Sequence, residues 1–326
     1  MAKYLITGAA GFIGSQVCNQ LLVEGNEVFG IDNMNEYYDV RLKNWRIDKL
    51  RQTYGKSSFH FDRIDIEDRS SLEKVFKENS FDAVLNLAAR AGVRYSMENP
   101  HIYLSTNTEG SLNLLECMRK HNCSKFVLAS TSSLYAGHKT PFSEYLAVNQ
   151  PLSPYAATKK AAELMAYSYH KLYGIDVSVV RYFTVFGPAG RPDMSIFRFI
   201  KWIDEEVPIE LFGDGSQSRD FTYIDDIAEG TIAATKEVGY EIINLGGGRN
   251  SVSLNTVISK LEELIGKKAK IEHKAFHIAD IKETWADIKK AKQLLGWEPK
   301  TTLDQGLENS VKWYMDNRDW LKDVTV

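Results

Sequence analysis

Gly8-Ala9-Ala10-Gly11-Phe12-Ile13-Gly14, directly after Lys3-Tyr4-Leu5-Ile6-Thr7, decides the fold of this 326-residue chain. The apolar run over 3–7 reads as a buried strand, and 13–24 reads as the helix that follows it. Three glycines stand between them with two residues in each gap. The first permits a tight turn, the second lets backbone amides approach a pyrophosphate, and the third lets helix and strand pack closely. The helix N-terminus adds oriented N–H groups and a partial positive charge. Plain turns collect glycine too, and what sets this stretch apart is the next strand, over 27–31, which runs into Asp32. A carboxylate there accepts hydrogen bonds from an adenosine ribose. It also repels a 2′-phosphate, so the reading is NAD rather than NADP.

Outward from this unit, apolar runs alternate with helical patterns. Strands are expected over 58–61, 83–87, 125–129 and 177–180, and helices over 40–53, 71–77, 103–121 and 155–173. Such alternation argues for an α/β protein with a Rossmann-type, doubly wound parallel sheet. Beyond residue 183 the connections lengthen and gather Pro and Gly, at 188–192, 208 and 213–215. A NAD-binding domain over 1–183 and a smaller, mainly substrate-binding α/β lobe over 184–326 are therefore expected, with the chain crossing back once over 220–245.

Composition narrows the partners. A net charge of -3 gives no basic field for nucleic acid. No apolar run approaches the roughly 20 residues that span a bilayer, so no membrane partner is expected. The first strand begins too early to leave room for a signal peptide. Three cysteines, Cys18, Cys117 and Cys123, are odd in number and lack metal spacing, which fits small buried hydrophobes in a reducing cytoplasm. The histidines are scattered without a ligand pair, and no metal site is expected.

Tyr155-Ala156-Ala157-Thr158-Lys159 is the second anchor. Tyr and Lys at i and i+4 share one helix face, one turn apart. A neighbouring ammonium favours tyrosinate, making Tyr155 a base near neutral pH. The same spacing also describes a surface Lys beside a packed Tyr. What separates the two readings is context: 149–154 leads into the helix, and Ser130-Thr131-Ser132-Ser133 follows the strand ending at Ala129. Residues just beyond the C-terminal ends of parallel strands face the ligand crevice. Hydroxyls there could hold a sugar oxygen beside the phenolate, or cap the next segment.

With both anchors in place the chain resembles the extended short-chain dehydrogenase/reductase family, specifically its nucleotide-sugar epimerases and dehydratases. Gly8-x-x-Gly11-x-x-Gly14, Asp65-Ile66, Asn86-Leu87-Ala88-Ala89, Asn107, Tyr155-x-x-x-Lys159, Arg219-Asp220-Phe221 and Ala286-Asp287 fall in that family's order over nearly all the chain. The resemblance implies a cofactor site of Gly8, Gly11, Phe12, Ile13, Gly14, Asp32, Asn33, Asp65, Ile66, Leu87, Ala88, Ala89, Asn107, Tyr155 and Lys159. It implies that Arg219 pairs with the diphosphate of a UDP-sugar, where forked donors suit phosphate oxygens. Asn107 has the alternative of bonding backbone inside the fold, and Asp287 that of capping a helix.

Two loops narrow the resemblance. Ala91-Gly92-Val93-Arg94-Tyr95-Ser96 and Arg181-Tyr182-Phe183-Thr184-Val185-Phe186-Gly187-Pro188-Ala189-Gly190-Arg191-Pro192-Asp193-Met194 look like those of UDP-glucuronate 4-epimerases. Galactose-type 4-epimerases usually carry Asn where Thr184 stands, and dehydratases and decarboxylases an acid where Ser133 stands. His277 stands where galactose-type enzymes carry a second diphosphate arginine. The implied reaction interconverts UDP-glucuronate and UDP-galacturonate through a 4-keto sugar with tightly held NAD. Tyr155 is the base, Thr131 positions the proton at O4, and Lys159 lowers the phenol pKa. Arg94, Ser132, Ser133, Thr184, Arg191, Arg219 and Asp280 make the substrate side. Arg191 is favoured for the C6 carboxylate over Arg94, the bland alternative being a loop arginine paired with Asp193. A homodimer is implied, through a four-helix bundle of the helices over 103–121 and 155–173, which otherwise merely cover the sheet. Rival readings are a galactose-type epimerase, a dehydratase or decarboxylase, or a non-enzymatic NAD-binding regulator, which would have a broken Tyr/Lys pair.

Overall fold

A computed structural model describes residues 1–275 and 281–326. Six strands come first along the chain: β1 (Lys3–Thr7), β2 (Glu27–Ile31), β3 (Phe59–Asp62), β4 (Ala83–Asn86), β5 (Lys125–Thr131) and β6 (Asp176–Tyr182). The chain then re-enters at Tyr240–Leu245, and the sheet order is Tyr240–Leu245, β6, β5, β4, β1, β2, β3. Every pairing is parallel. The order reverses between β1 and β4, which opens a crevice at their C-terminal ends. There Thr7 pairs with Asn86 in register, and its hydroxyl donates to Asn86 Oδ1 at 2.7 Å.

Successive strand residues point to opposite faces, so neighbours enter different cores. Ile6, Val28, Leu85, Val127 and Val180 meet the helices Phe12–Val23, Val40–Ser58 and Ile224–Ala233 on one face. Leu5, Val84, Leu128 and Val179 meet Arg69–Glu78, Gly110–Lys120 and Pro154–Tyr173 on the other. Each fully buried aliphatic side chain contributes about 1.5–3 kcal/mol. A third core, with Phe186, Phe197, Ile200, Leu211, Val257 and Leu307, holds the C-terminal elements together. Those elements pair in short runs: Thr184–Phe186 with Phe221–Tyr223, Ser218–Arg219 with Val252–Ser253, and Ile209–Phe212 with Ile271–Lys274.

Several expected boundaries move. The strand expected over 125–129 runs on through Ser130 and Thr131. The strand expected over 177–180 gains Arg181 and Tyr182. The helix expected over 103–121 is three pieces, with a π-helical stretch at Leu104–Glu109 between Pro100–Tyr103 and Gly110–Lys120. The helix Pro154–Tyr173 starts where its caps dictate: Ser153 Oγ accepts the Ala156 amide, Pro154 supplies a preset first turn, and left-handed Gly174 ends it. No helix among the described residues is long and apolar enough to cross a membrane.

Candidate active site

The glycine turn closes the crevice from one side. Gly8 adopts φ +68, and a Cβ on Gly14 would lie 2.1 Å from the Gly8 carbonyl oxygen. Only glycine lets the helix Phe12–Val23 start this close to β1. Its first turn faces a cleft of about 830 Å³ lined by Gly8, Gly11, Phe12, Ile13, Gly14, Asp32, Asn33, Asp65, Ile66, Leu87, Ala88 and Ala89. Asn33 Nδ2 donates to Asp65 Oδ2 at 2.7 Å, tying the ends of β2 and β3. A cradle filled by any Cβ, a helix N-terminus and a carboxylate at the end of β2 fit a dinucleotide such as NAD.

Asp32 is more occupied than the sequence reading supposed. Its carboxylate accepts the Ala10 amide at 3.2 Å and the Met34 amide at 2.8 Å, and pairs with Lys43 Nζ at 3.5 Å. Burial holds the Lys43 amine below its ordinary pKa, and Asp32 partly restores it. The acid that was to repel a 2′-phosphate therefore has a cation beside it. Sequence reasoning missed Lys43, which reads as one more polar residue on an amphipathic helix.

On the far side of the reversal, the same cleft is lined by Thr131, Ser132, Ser133, Tyr155 and Lys159. Thr131 ends β5 and its Oγ1 accepts the Ser133 amide at 3.1 Å, while its side chain hydrogen-bonds the Tyr155 phenol. Lys159 Nζ donates to the Ala129 carbonyl at 2.7 Å, and burial pushes its pKa down to about 8, with Glu163 opposing. One helical turn on, buried Glu163 takes a bidentate pair from Arg181 at 2.9 and 2.8 Å and the Ser130 hydroxyl at 2.7 Å. Burial raises the Tyr155 phenol above its ordinary pKa, the Thr131 bond and the Arg191 charge working against it. The Arg191 charge thus bears on the phenol alongside the Thr131 bond, a cation that the Tyr155/Lys159 spacing did not point to.

The substrate-side residues Arg94, Thr184, Arg191 and Arg219 also line the cleft. Arg191 forks onto Asp193, Nε to Oδ1 at 3.0 Å and Nη2 to Oδ2 at 2.5 Å, which is the partner the bland alternative named. Arg94 stacks on Phe212 with its guanidinium carbon 3.6 Å from the ring centroid. Arg219 Nη1 donates to the Ser218 carbonyl at 2.8 Å. Asn107 is placed differently from the resemblance. It is 1 % exposed behind the cleft, accepting the Arg90 amide at 2.8 Å and donating to the Arg90 carbonyl at 3.0 Å. The π-helical stretch turns it toward that loop, so it shapes the wall without forming it. Asp287 accepts the Lys289 amide at 3.0 Å just ahead of the helix Lys289–Leu295, whose N-cap residue is Ile288. Asp280 and His277 lie outside the described residues. Among the described residues no group of three or more His, Cys, Asp or Glu could hold a metal ion. Cys18, Cys117 and Cys123 are free and buried.

A strand-end crevice holding a dinucleotide cradle and a Tyr/Lys pair in one cleft is a known arrangement. Residues 5–310 match the family model described as GDP-mannose 4,6 dehydratase. A UDP-glucuronate 4-epimerase of Thermodesulfobacterium geofontis is 59% identical over 326 residues, 100% of each chain. The crystal structure of UDP-glucuronic acid 4-epimerase from Bacillus cereus, in complex with UDP-glucuronic acid and NAD, matches with TM-score 0.90 and 40% identity, covering 97% of this chain and 99% of that one. UDP-glucose 4-epimerase from Thermotoga maritima, with UDP-glucose, matches with TM-score 0.87 and 30% identity over 97% and 99%. Fold, cleft and full-length similarity agree, and the chain belongs to the GDP-mannose 4,6 dehydratase family of extended short-chain dehydrogenases/reductases.

Proposed function

We propose that this chain is a UDP-glucuronate 4-epimerase, interconverting UDP-glucuronate and UDP-galacturonate through a transient 4-keto sugar with tightly bound NAD. The observation that carries the reading is its 59% identity, end to end, to a UDP-glucuronate 4-epimerase. Bound NAD supplies the acceptor for the C4 hydride and gives it back, so no net oxidation occurs. The glycine turn, Asp32, Asn33, Asp65 and Ile66 hold the adenosine and diphosphate ends. Leu87, Ala88 and Ala89 form the wall beneath the ring. Tyr155 takes the O4 proton as phenolate, Thr131 bonds the same oxygen, and Lys159 with Arg191 favours the charged phenol.

The 4-keto sugar then turns over about its diphosphate linkage, held by Arg219, so that the hydride returns to the opposite face of C4 while Tyr155 gives the proton back to O4. A β-keto acid loses carbon dioxide readily, so the C6 carboxylate must be kept out of alignment. Arg191, Thr184, Ser132 and Ser133 are the groups proposed to hold it, with Arg94 beside them. Residues 1–183 carry the cofactor and 184–326 mainly the substrate. The helix Pro154–Tyr173 turns Leu164 (57 % exposed) and Leu172 (70 % exposed) outward, which supports a homodimer built on this helix and its neighbour Gly110–Lys120. Three unpaired cysteines suit a cytoplasmic enzyme. Incubation with UDP-glucuronate, UDP-glucose and UDP-xylose, with and without added NAD, tests the reading. UDP-galacturonate should form without added cofactor, and faster turnover of UDP-glucose would overturn it.

A further inference from the structure

Arg46, in the helix Val40–Ser58, is 3 % exposed and touches neither ligand half of the cleft directly. Its guanidinium makes five hydrogen bonds. Nε donates to the Ala189 carbonyl at 3.2 Å, and Nη2 to Ala189 at 2.7 Å and Gly190 at 3.2 Å. Nη1 donates to the Ala10 carbonyl at 3.0 Å and to the Tyr38 hydroxyl at 2.8 Å. All five N–H donors of an arginine are thus used, and none of these acceptors is a carboxylate. A buried cation without an acid is costly unless every donor is met, so volume filling does not explain it. What the five bonds share is direction. Ala10 lies inside the glycine turn, and Ala189 and Gly190 immediately precede Arg191. Ala189 holds φ +53, a left-handed backbone that an alanine keeps only when its surroundings fix it. The Tyr38 ring neighbours both cations, its centroid 5.6 Å from Arg46 and 5.8 Å from Arg191.

We propose that Arg46 is a positioning residue for substrate selection: by clamping the Ala189 and Gly190 carbonyls to the glycine turn, it fixes where the Arg191 guanidinium stands over the sugar. The proposal rests on the reading of Arg191 as partner of the substrate carboxylate. Lysine keeps the charge but cannot fork across two loops. Arg46→Lys should therefore raise KM for UDP-glucuronate about tenfold to a hundredfold, the range a misplaced positioning group costs. The amount of bound NAD and the inhibition constant of UDP should stay at wild-type values, which a merely destabilised fold would not allow. Adding Arg46→Lys to Arg191→Ala should cause no further loss, because the clamp acts only through Arg191. Losses that add, or an unchanged KM in Arg46→Lys, would overturn the proposal. If Arg46→Lys does not accumulate folded, Arg46→Gln decides, since it removes the buried charge and leaves two donors. Failure of both variants to fold would assign Arg46 to stability and overturn the proposal as well. An unchanged KM for UDP-glucuronate in Arg191→Ala alone would overturn the Arg191 reading and this proposal together, whereas an effect there without one at Arg46 would overturn this proposal only.

Discussion

The two walls of the cleft are made differently. On the cofactor side, most residues stand at the ends of β1, β2, β4 and β5, strands with parallel neighbours on both sides, with Asp65 and Ile66 beyond the edge strand β3 and Tyr155 and Lys159 on a helix packed against the sheet. On the substrate side, the supporting strands are two to four residues long, and loop 187–194 carries Arg191 beyond a left-handed Ala189. The sheet wall needs few side chains to stay in place, while the loop wall depends on tethers such as the Arg191–Asp193 fork. Chemistry common to many sugars belongs on the first kind of wall, and selection of one sugar on the second.

Replacing Tyr155 by Phe should have the largest effect, because it strikes the sheet-anchored chemistry. Turnover should fall by about 10²–10⁴-fold, the usual worth of a general base, with NAD still bound after purification. Near-normal turnover would break the assignment. Arg191→Ala strikes the loop wall, and kcat/KM on UDP-glucuronate should drop by about 2–5 kcal/mol. UDP-glucose, which has no carboxylate, should lose far less. Equal losses on both sugars would move Arg191 from selection to the loop itself.

Lys159→Met separates activity from stability on the sheet wall. The lysine is buried and its pKa is pushed down to about 8 from 10.5, so below pH 8 the fold carries a charge it disfavours. The variant should lose activity yet unfold later at pH 7, with an advantage on the order of 1–3 kcal/mol. That advantage should fade between pH 8 and 10.5, where the folded wild type has shed the proton and the unfolded chain has not. Thermal unfolding at pH 7 and pH 10 checks this, and a variant less stable at pH 7 would count against it. The smallest expected effect is assembly: Leu164→Lys should shift the homodimer toward monomer in light scattering, with NAD content unchanged.

The cofactor wall was largely legible because its signals are local: glycines at fixed gaps, an acid closing a strand, Tyr and Lys one helical turn apart. Even there the reading stopped short wherever a polar group is satisfied from far along the chain. Ser130 and Thr131 look like loop in any short window, and belong to β5 because Glu163 takes the Ser130 hydroxyl and Tyr155 meets Thr131. Arg181 lies beyond the apolar run that marks its strand, and Glu163 neutralises its charge from the helix alongside. Lys43 and Arg46 resemble surface residues, and only the folded chain brings Asp32 and the Ala189 carbonyl to them. Asn107 is a motif residue whose side chain, in the fold, bonds the Arg90 backbone behind the cleft.

The extra length of β5 has a consequence in the time domain. Thr131 pairs in register with Tyr182 on β6, so the hydroxyl proposed to meet O4 sits on a ladder rather than a loop. Ladder amides in a central strand open only in rare, large fluctuations, whereas loop amides open freely. The clock for substrate entry and sugar turnover should therefore be kept by the loops of the substrate side, 187–194 among them, rather than by β5. Amide hydrogen exchange should find Thr131 among the slow positions and the Arg191 loop among the fast ones.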